Sequence, residues 1–402
     1  MAPEPPVIRA SPRLPNELYR EIAENLHHYG ERYALLCLAL VCKAWRAESQ
    51  RVLFRTVCDD STDLSKREGL IRTHTLFLKS IIANPARLGP YVRTYKQRDL
   101  ICYLFFRAGS ELSSPGASSV SHVWDLTARA LPALINLKHL FIVPLRDGRR
   151  TARAYLLEGC TFKLESLSWG FAPYDSTGSD SIADLLRTQH DLFHLEDGPE
   201  PSRQDFSWMP DDVFTSLIST TCRLKSAPRI MAKRRKIVGL RIWSDWNPRY
   251  ADPQNHLSAL RPLKYLSISA HRGLMSHWGA IDSHVVLLEL VSWDLRTIQN
   301  LSGLSNLRVS ALVRAAREAS LSRFLGDEPM DVNAEPNLRM QLTVESSHRC
   351  PNLEYVIIQD IPRGETRRQY RKLSLAPANI QDEEFFIENE MIGMPWWTVY
   401  GV

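Results

Sequence analysis

The sequence predicts a mixed α/β chain, with a small three-helix module followed by an irregular solenoid of short strands returned by helices or loops. Three observations carry that expectation. Its 402 residues are too many for one ordinary hydrophobic core. Apolar residues recur every four positions near the N-terminus, at Leu14, Leu18, Ile22 and Leu26, the period of a helix face. Beyond residue 136 a unit of form Leu-x-x-Leu-x-apolar returns nine times, the mark of a repeat array.

Composition bounds the class. An apolar fraction of 44% and a charged fraction of 24% are those of a folded globular chain, not of a disordered one. The longest unbroken apolar run, Tyr33 to Cys42, is about half of what a membrane span requires, so no membrane partner is expected. Residues 1–12, with Pro3, Pro5, Pro6 and Pro12, lack an apolar signal core and read as a disordered tail. The seven cysteines are odd in number and follow no zinc or redox spacing. Most read as small buried hydrophobes in a reducing compartment, which places the chain in the cytoplasm or nucleus and leaves the sequon at Asn300 silent. The net charge of +5 is mild, but runs of both signs occur: Arg229 to Lys236 and Arg363 to Lys372 are basic, Asp191 to Asp212 and Asp382 to Glu390 acidic. Such patches suit a surface that docks other proteins; solvated loops are the plainer reading.

The elements follow in order. Pro15 suits the first helical position, and Glu17 places negative charge in the first turn. Gly30 ends this helix. A second runs from about Glu31 through Cys42, apolar on nearly every side, and a third carries Trp45, Val52, Leu53 and Phe54 between charged residues. Three short helices cannot hide this much apolar surface among themselves, so another protein or the next domain should cover the surplus.

The pattern Leu14-Pro15-x-Glu17-Leu18, Ile22, Leu26, then Leu38-Ala39-Leu40-Val41-Cys42-Lys43-x-Trp45-Arg46 and Leu53-Phe54 resembles the F-box, over residues 13–58. The stretch His27 to Ala34 is several residues longer than the family's usual spacing. The resemblance implies binding to the Skp adaptor of cullin-based ubiquitin ligases. It implies that Leu14, Pro15, Leu18, Ile22, Leu26, Leu38, Leu40, Val41, Cys42 and Trp45 serve that interface or the core behind it, with Lys43 and Arg46 as its polar rim.

Residues 59–122 read as a linker with a helix over 65–84 stopped near Pro85, a strand at Tyr91 to Tyr95, and a flexible Ser-rich loop from Gly109 to His122. From 123 to 402 the repeat dominates. Its clearest copies begin at Leu137, Leu164, Ile237, Leu263, Leu287 and Leu353, with weaker ones at Leu192, Leu224 and Leu307. In each the leucines point inward, while Lys138, Arg241 and Lys264 face solvent. Helical returns are expected at Val123 to Leu131, Ile182 to Gln189, Val213 to Thr220 and Leu312 to Phe324. One unit cannot bury its apolar side, but a stack can. This region resembles a divergent leucine-rich-repeat array, although the family's Asn or Cys after the strand is replaced by Leu145, Ala172, His271, Leu295 and Ile361. An irregular α/β stack is the alternative. The aromatic-rich end, Phe385 to Tyr400, reads as a cap over the last repeat, or else as an exposed recognition patch.

Catalytic signals are few. His190 and His194 have the spacing of a zinc-binding pair on a helix, but they fall where a repeat strand is expected, where they would not converge. Asp59-Asp60 reads as an element boundary. No phosphate loop, nucleophile elbow or dinucleotide fingerprint occurs, so neither an enzyme nor a cofactor is expected. Lys233 to Lys236 could serve nuclear import or touch nucleic acid, but no aromatic residues interleave with it for base stacking, so nucleic acid is an improbable partner. The expected function is that of a substrate receptor of a Skp–cullin–F-box ligase, with a protein target held by the repeats. The alternative is a repeat scaffold without ubiquitination.

Overall fold

In the computed structural model, the described residues are 14–28, 31–57, 67–97, 115–142, 154–169, 185–197, 214–222, 236–242, 263–269, 284–291, 304–313, 336–360, 368–376, 379–387 and 395–400, with a few single positions between them. Three helices open the chain: α1 (Asn16–His28), α2 (Arg32–Val41) and α3 (Lys43–Arg55). Leu18 N–H bonds the Pro15 carbonyl, so Pro15 stands just ahead of the first turn, where its missing donor costs nothing. Helix α3 runs without a break into a two-residue strand, β1 (Thr56–Val57).

From there one continuous sheet is laid down in sequence order. Its next members are β2 (Thr94–Gln97), β3 (His139–Ile142), β4 (Ser166–Trp169), β5 (His194–Asp197), β6 (Ser219–Cys222) and β7 (Gly239–Ile242). It goes on through β8 (Tyr265–Ser269), β9 (Leu287–Val291), β10 (Val309–Val313), β11 (Tyr355–Asp360), β12 (Arg368–Ala376) and β13 (Asn379–Ile387). Strand order is strictly sequential, parallel from β1 to β11 and antiparallel for the last two. Each parallel neighbour requires a crossover. Among the described residues the crossovers include α4 (Arg67–Ala83), α5 (Pro85–Leu88), α6 (Pro115–Ala130) and α7 (Pro336–Arg349).

The repeat is physical as well as textual. In register, Tyr95, Leu140, Leu167, Leu195, Thr220, Leu240, Leu266, Leu288, Ser310 and Val356 form one row. All of them are buried, and most join the main hydrophobic cluster. Three residues earlier another buried row runs through Val92, Leu137, Leu164, Leu192, Leu217, Ile237, Leu263, Val285, Leu307 and Leu353. Between the rows the backbone closes on itself: the carbonyls of Lys138, Glu165, Phe193, Ile218, Val238, Lys264, Val286 and Arg308 each accept two N–H groups from the next unit. One unit exposes unpaired backbone; a stack satisfies it.

Several expectations are corrected. The strand near residue 91 lies at Thr94–Gln97, after a 3₁₀ turn at Gly89–Tyr91. Gly89 is required there, since a Cβ would strike the Ala133 carbonyl. Pro115 to His122, read as Ser-rich loop, belongs to α6, because Pro115 starts a helix whose later face buries Val123, Trp124 and Leu126. Of the helix expected at Val213 to Thr220, the described residues from 214 on are instead a turn leading into β6: Phe214 has φ 65°, and Thr220 and Thr221 favour extended backbone. Leu312 and Val313, expected to start a helix, end β10. The return over Ile182 to Gln189 survives in the described residues as one helical turn at 185–187. In the ninth strand the inward residues are Leu288 and Leu290, preceded by Val285; Leu287 belongs to a cluster on the opposite face. Nor does Arg241 simply face solvent. Its guanidinium is ion-paired with Glu289 at 2.9 Å. The Leu224 copy, Asp59-Asp60, Asn300 and Lys233 to Arg235 lie outside the described residues, as do the five positions after the strands. Of the described cysteines, Cys222 and Cys350 are buried and Cys160 half-buried, but Cys37 and Cys42 are exposed. Burial pushes the Cys160 thiol up to about 12 and that of Cys350 to about 11.

Candidate protein-docking surfaces

The three N-terminal helices hold a core of three buried side chains, Ala23, Leu35 and Val52, with Leu26 and Leu53 packed against it. That core is too small to absorb the rest. Leu14 just ahead of α1 and Leu18 and Ile22 along it stay exposed, as do Tyr33, Leu36, Leu40 and Val41 along α2, with Tyr33 at 78% and Leu40 at 81%. Of the eleven large apolar side chains exposed among the described residues, these are seven. Pro15, Cys42, Lys43 and Arg46 are exposed beside them, whereas Leu26, Leu38 and Trp45 are half-buried. The Trp45 ring meets Tyr19 edge-to-face at 4.8 Å, which holds α3 to α1. Arg51 bridges Glu24 at 3.0 Å and Glu48 at 2.7 Å, pinning α3 to α1 from the other side. Sequence reasoning named Leu14, Leu18, Ile22, Leu40 and Val41 but missed Tyr33 and Leu36. Tyr33, Leu36 and Leu40 lie three and four apart on one face, but α2 is apolar at nearly every position, so its period alone does not single that face out.

Where the helices meet the sheet there is a cleft of about 620 Å³ lined by Glu24, Arg51, Arg55, Arg93, Lys138 and Glu165, among others. Two of its cations are ion-paired: Arg51 with two glutamates, and Lys138 with Glu165 at 3.1 Å.

The second surface is the sheet face opposite the leucine core. Here Leu287, Val309, Ala311, Ile357 and Tyr370 form a separate buried cluster with Trp396, Trp397 and Tyr400. The last three belong to a 3₁₀ turn, Trp396–Tyr400. The array end is closed by the hairpin β12–β13, which contains Phe385 and Phe386, and the tail reaches the last repeat through Tyr400, which meets Tyr355 and Tyr370. It turns back across the middle strands. Trp397 stacks on Tyr265 at 4.6 Å, and Arg241 lies 5.2 Å from the Trp396 ring centre. Tyr400 donates from its hydroxyl to Glu289 at 2.6 Å, and its carbonyl accepts from Tyr355. Glu289, 2% exposed, also accepts from Ser267 at 2.6 Å. Burial, with the Glu289 carboxylate beside it, raises the Tyr400 phenol well above its usual range, so it stays a donor at neutral pH.

The two histidines read against a zinc site part company. His190 is exposed in a turn, while His194 is buried on β5 and pairs through Nδ1 with Ser219 at 2.8 Å. Burial brings His194 down to about 4. Among the described residues no group of three metal-ligating side chains occurs, and no helix is long and apolar enough to cross a membrane.

No protein-family model matches the sequence, and no curated protein matches it. Among solved structures, one similar chain is an internalin from Listeria monocytogenes, 14% identical, covering 49% of this chain and 74% of that one with a TM-score of 0.21. The repeat reading therefore stands on the strand ladder and its two buried rows.

Proposed function

We propose that this chain is the substrate-recognition subunit of a Skp–cullin–F-box ubiquitin ligase. In this reading the helices α1–α3 are an F-box and the sheet is a divergent leucine-rich-repeat array. The observation that carries it is the exposed apolar ridge of Leu14, Leu18, Ile22, Tyr33, Leu36, Leu40 and Val41 on helices whose own core is already filled. An exposed apolar cluster of this kind marks a docking surface. Five of its seven residues, Leu14, Leu18, Ile22, Leu40 and Val41, are among those that the F-box resemblance assigns to the Skp adaptor. Because α3 feeds directly into β1, an adaptor held on the helices would sit at a set position relative to the sheet. The protein transfers nothing itself; it raises the effective concentration of a bound target beside the ligase.

Co-purification with the Skp adaptor tests the proposal, and Leu14→Ala/Pro15→Ala should abolish it. Indifference of the intact protein to the adaptor at high concentration would sink the reading. Adaptor binding without ubiquitination of a bound target in a reconstituted ligase would leave a repeat scaffold instead.

A further inference from the structure

The middle of the sheet is built differently from its ends. On the face opposite the leucine core, one row reads Gly239, Tyr265, Leu287, Val309 and Tyr355 in register across β7 to β11. The row two residues on reads Arg241, Ser267, Glu289, Ala311 and Ile357. The first row is a strip of aromatic and aliphatic side chains with a notch where Gly239 has none. The second holds a buried carboxylate already gripped by two donors from the sheet, Arg241 and Ser267.

The turn Trp396–Tyr400 lies in this groove. A Cβ at Gly239 would fall inside the Trp397 ring, so the notch matches a flat ring and nothing bulkier on the strand. Tyr400 supplies a third donor to Glu289 from 111 residues away in sequence. The fit is incomplete. Trp396 is 6% exposed, yet its indole N–H has no hydrogen-bond partner among the described residues. A ligand that also met that donor, or replaced it with an apolar ring, would hold the groove more tightly than the present occupant.

We propose that this groove is a recognition site for a linear peptide of a partner protein, and that residues 396–400 are its built-in occupant. The peptide it fits presents a flat aromatic ring to the Gly239 notch and, three residues later, a hydroxyl-bearing ring to Glu289. It binds by displacing the chain's own turn. The inference rests on the sheet face alone and does not depend on the adaptor reading.

The test uses the full-length chain with a protease site inserted between Ile387 and Pro395, cut after folding, and the released segment removed by gel filtration. The cut chain should keep its circular dichroism and cooperative melting. It should bind a labelled peptide of sequence Pro395 to Val402 saturably and at one site. The Tyr400→Phe peptide, which leaves Glu289 one donor short, should bind about tenfold more weakly, the factor that one lost charge-assisted hydrogen bond of about 1.4 kcal/mol represents. Gly239→Val in the cut chain should abolish binding. In the uncut chain the same substitution should make the C-terminal segment markedly more sensitive to limited proteolysis. The proposal is overturned if the cut segment cannot be separated without unfolding the chain, which would make it ordinary core. It is equally overturned if the folded cut chain ignores the peptide, or binds it regardless of Gly239→Val.

Discussion

The two ends of this chain carry the same problem and resolve it differently. Both present more apolar surface than their local elements can bury. At the C-terminal end the chain covers the surplus itself: Trp396, Trp397 and Tyr400 turn back onto β7–β11 and are at most 6% exposed. At the N-terminal end nothing among the described residues covers Leu14, Leu18, Ile22, Leu36 or Leu40. The difference lies in polar complement. The covered face offers a buried carboxylate, a guanidinium and a glycine notch that specify what sits there, whereas the ridge is mostly aliphatic, with Tyr33 its one aromatic member, and is bordered by Lys43 and Arg46. Apolar exposure alone marks a surface as available; polar groups decide which occupant it selects.

Four measurements sharpen or break this comparison. The largest effect is expected within the helices themselves. Leu35→Ala removes a fully buried side chain from a three-residue core and should cost about 3 kcal/mol, read as loss of the helical unit by hydrogen exchange while the sheet persists. Glu289→Ala comes next. It leaves Arg241 without its partner and Tyr400 without its acceptor, and because Arg241 keeps 34% of its side chain exposed the loss should be nearer 2–3 kcal/mol than the full cost of a deeply buried pair, measured by urea denaturation. A uniform loss across the sheet in hydrogen exchange, rather than one centred on β7–β11, would break the idea of a discrete groove.

The third measurement is acid titration. Burial brings His74 and His194 down from 6.5 to about 4 in the folded chain. Their unfolded forms bind protons at higher pH than their folded forms. Their contribution is therefore complete above about pH 6.5 and is lost as pH falls from there toward 4. Between pH 7 and pH 5 each should remove about 2 kcal/mol of stability. His74→Gln should flatten that slope by roughly half, and an unchanged slope would show that His74 is not buried against Tyr95. The smallest effect is expected at the ridge: Leu40→Ser, at a position 81% exposed, should change stability by no more than about 0.5 kcal/mol while weakening adaptor capture. Destabilisation of 2 kcal/mol or more there would mean the ridge is packed in solution.

Much of the array was legible because the leucine rows recur with a period that only stacking explains. Leu137, Leu164, Leu192, Ile237, Leu263, Leu307 and Leu353 all occupy the inward row expected of them. Some of the misreadings fall where polar residues take leucine positions. Thr220 and Ser310 stand in the inner row, as do Tyr95 and, two residues on, Gln97, whose buried side chains satisfy one another and His74 and Thr127. A pattern search that expects apolar residues passes over such units. The fold tolerates them because the backbone ladder continues whatever the side chain, even where, as at Thr220 and Ser310, the buried hydroxyl has no hydrogen-bond partner among the described residues. On the helices, the four-residue stripe identified the α1 ridge, but α2 is apolar all round, so no single face could be assigned from its sequence.

The sequence by itself determined the three helices, the repeat and its inward leucines, because those follow from the local periods of helix and strand. Only the tertiary structure decided that Arg241 and Glu289 form a pair 48 residues apart, that Gly239 is a notch for Trp397, and that the tail lies across the middle strands as well as the last repeat. Those contacts join residues with no shared period. They depend on the rise of one strand per unit, which brings distant positions into register only after the whole stack has formed.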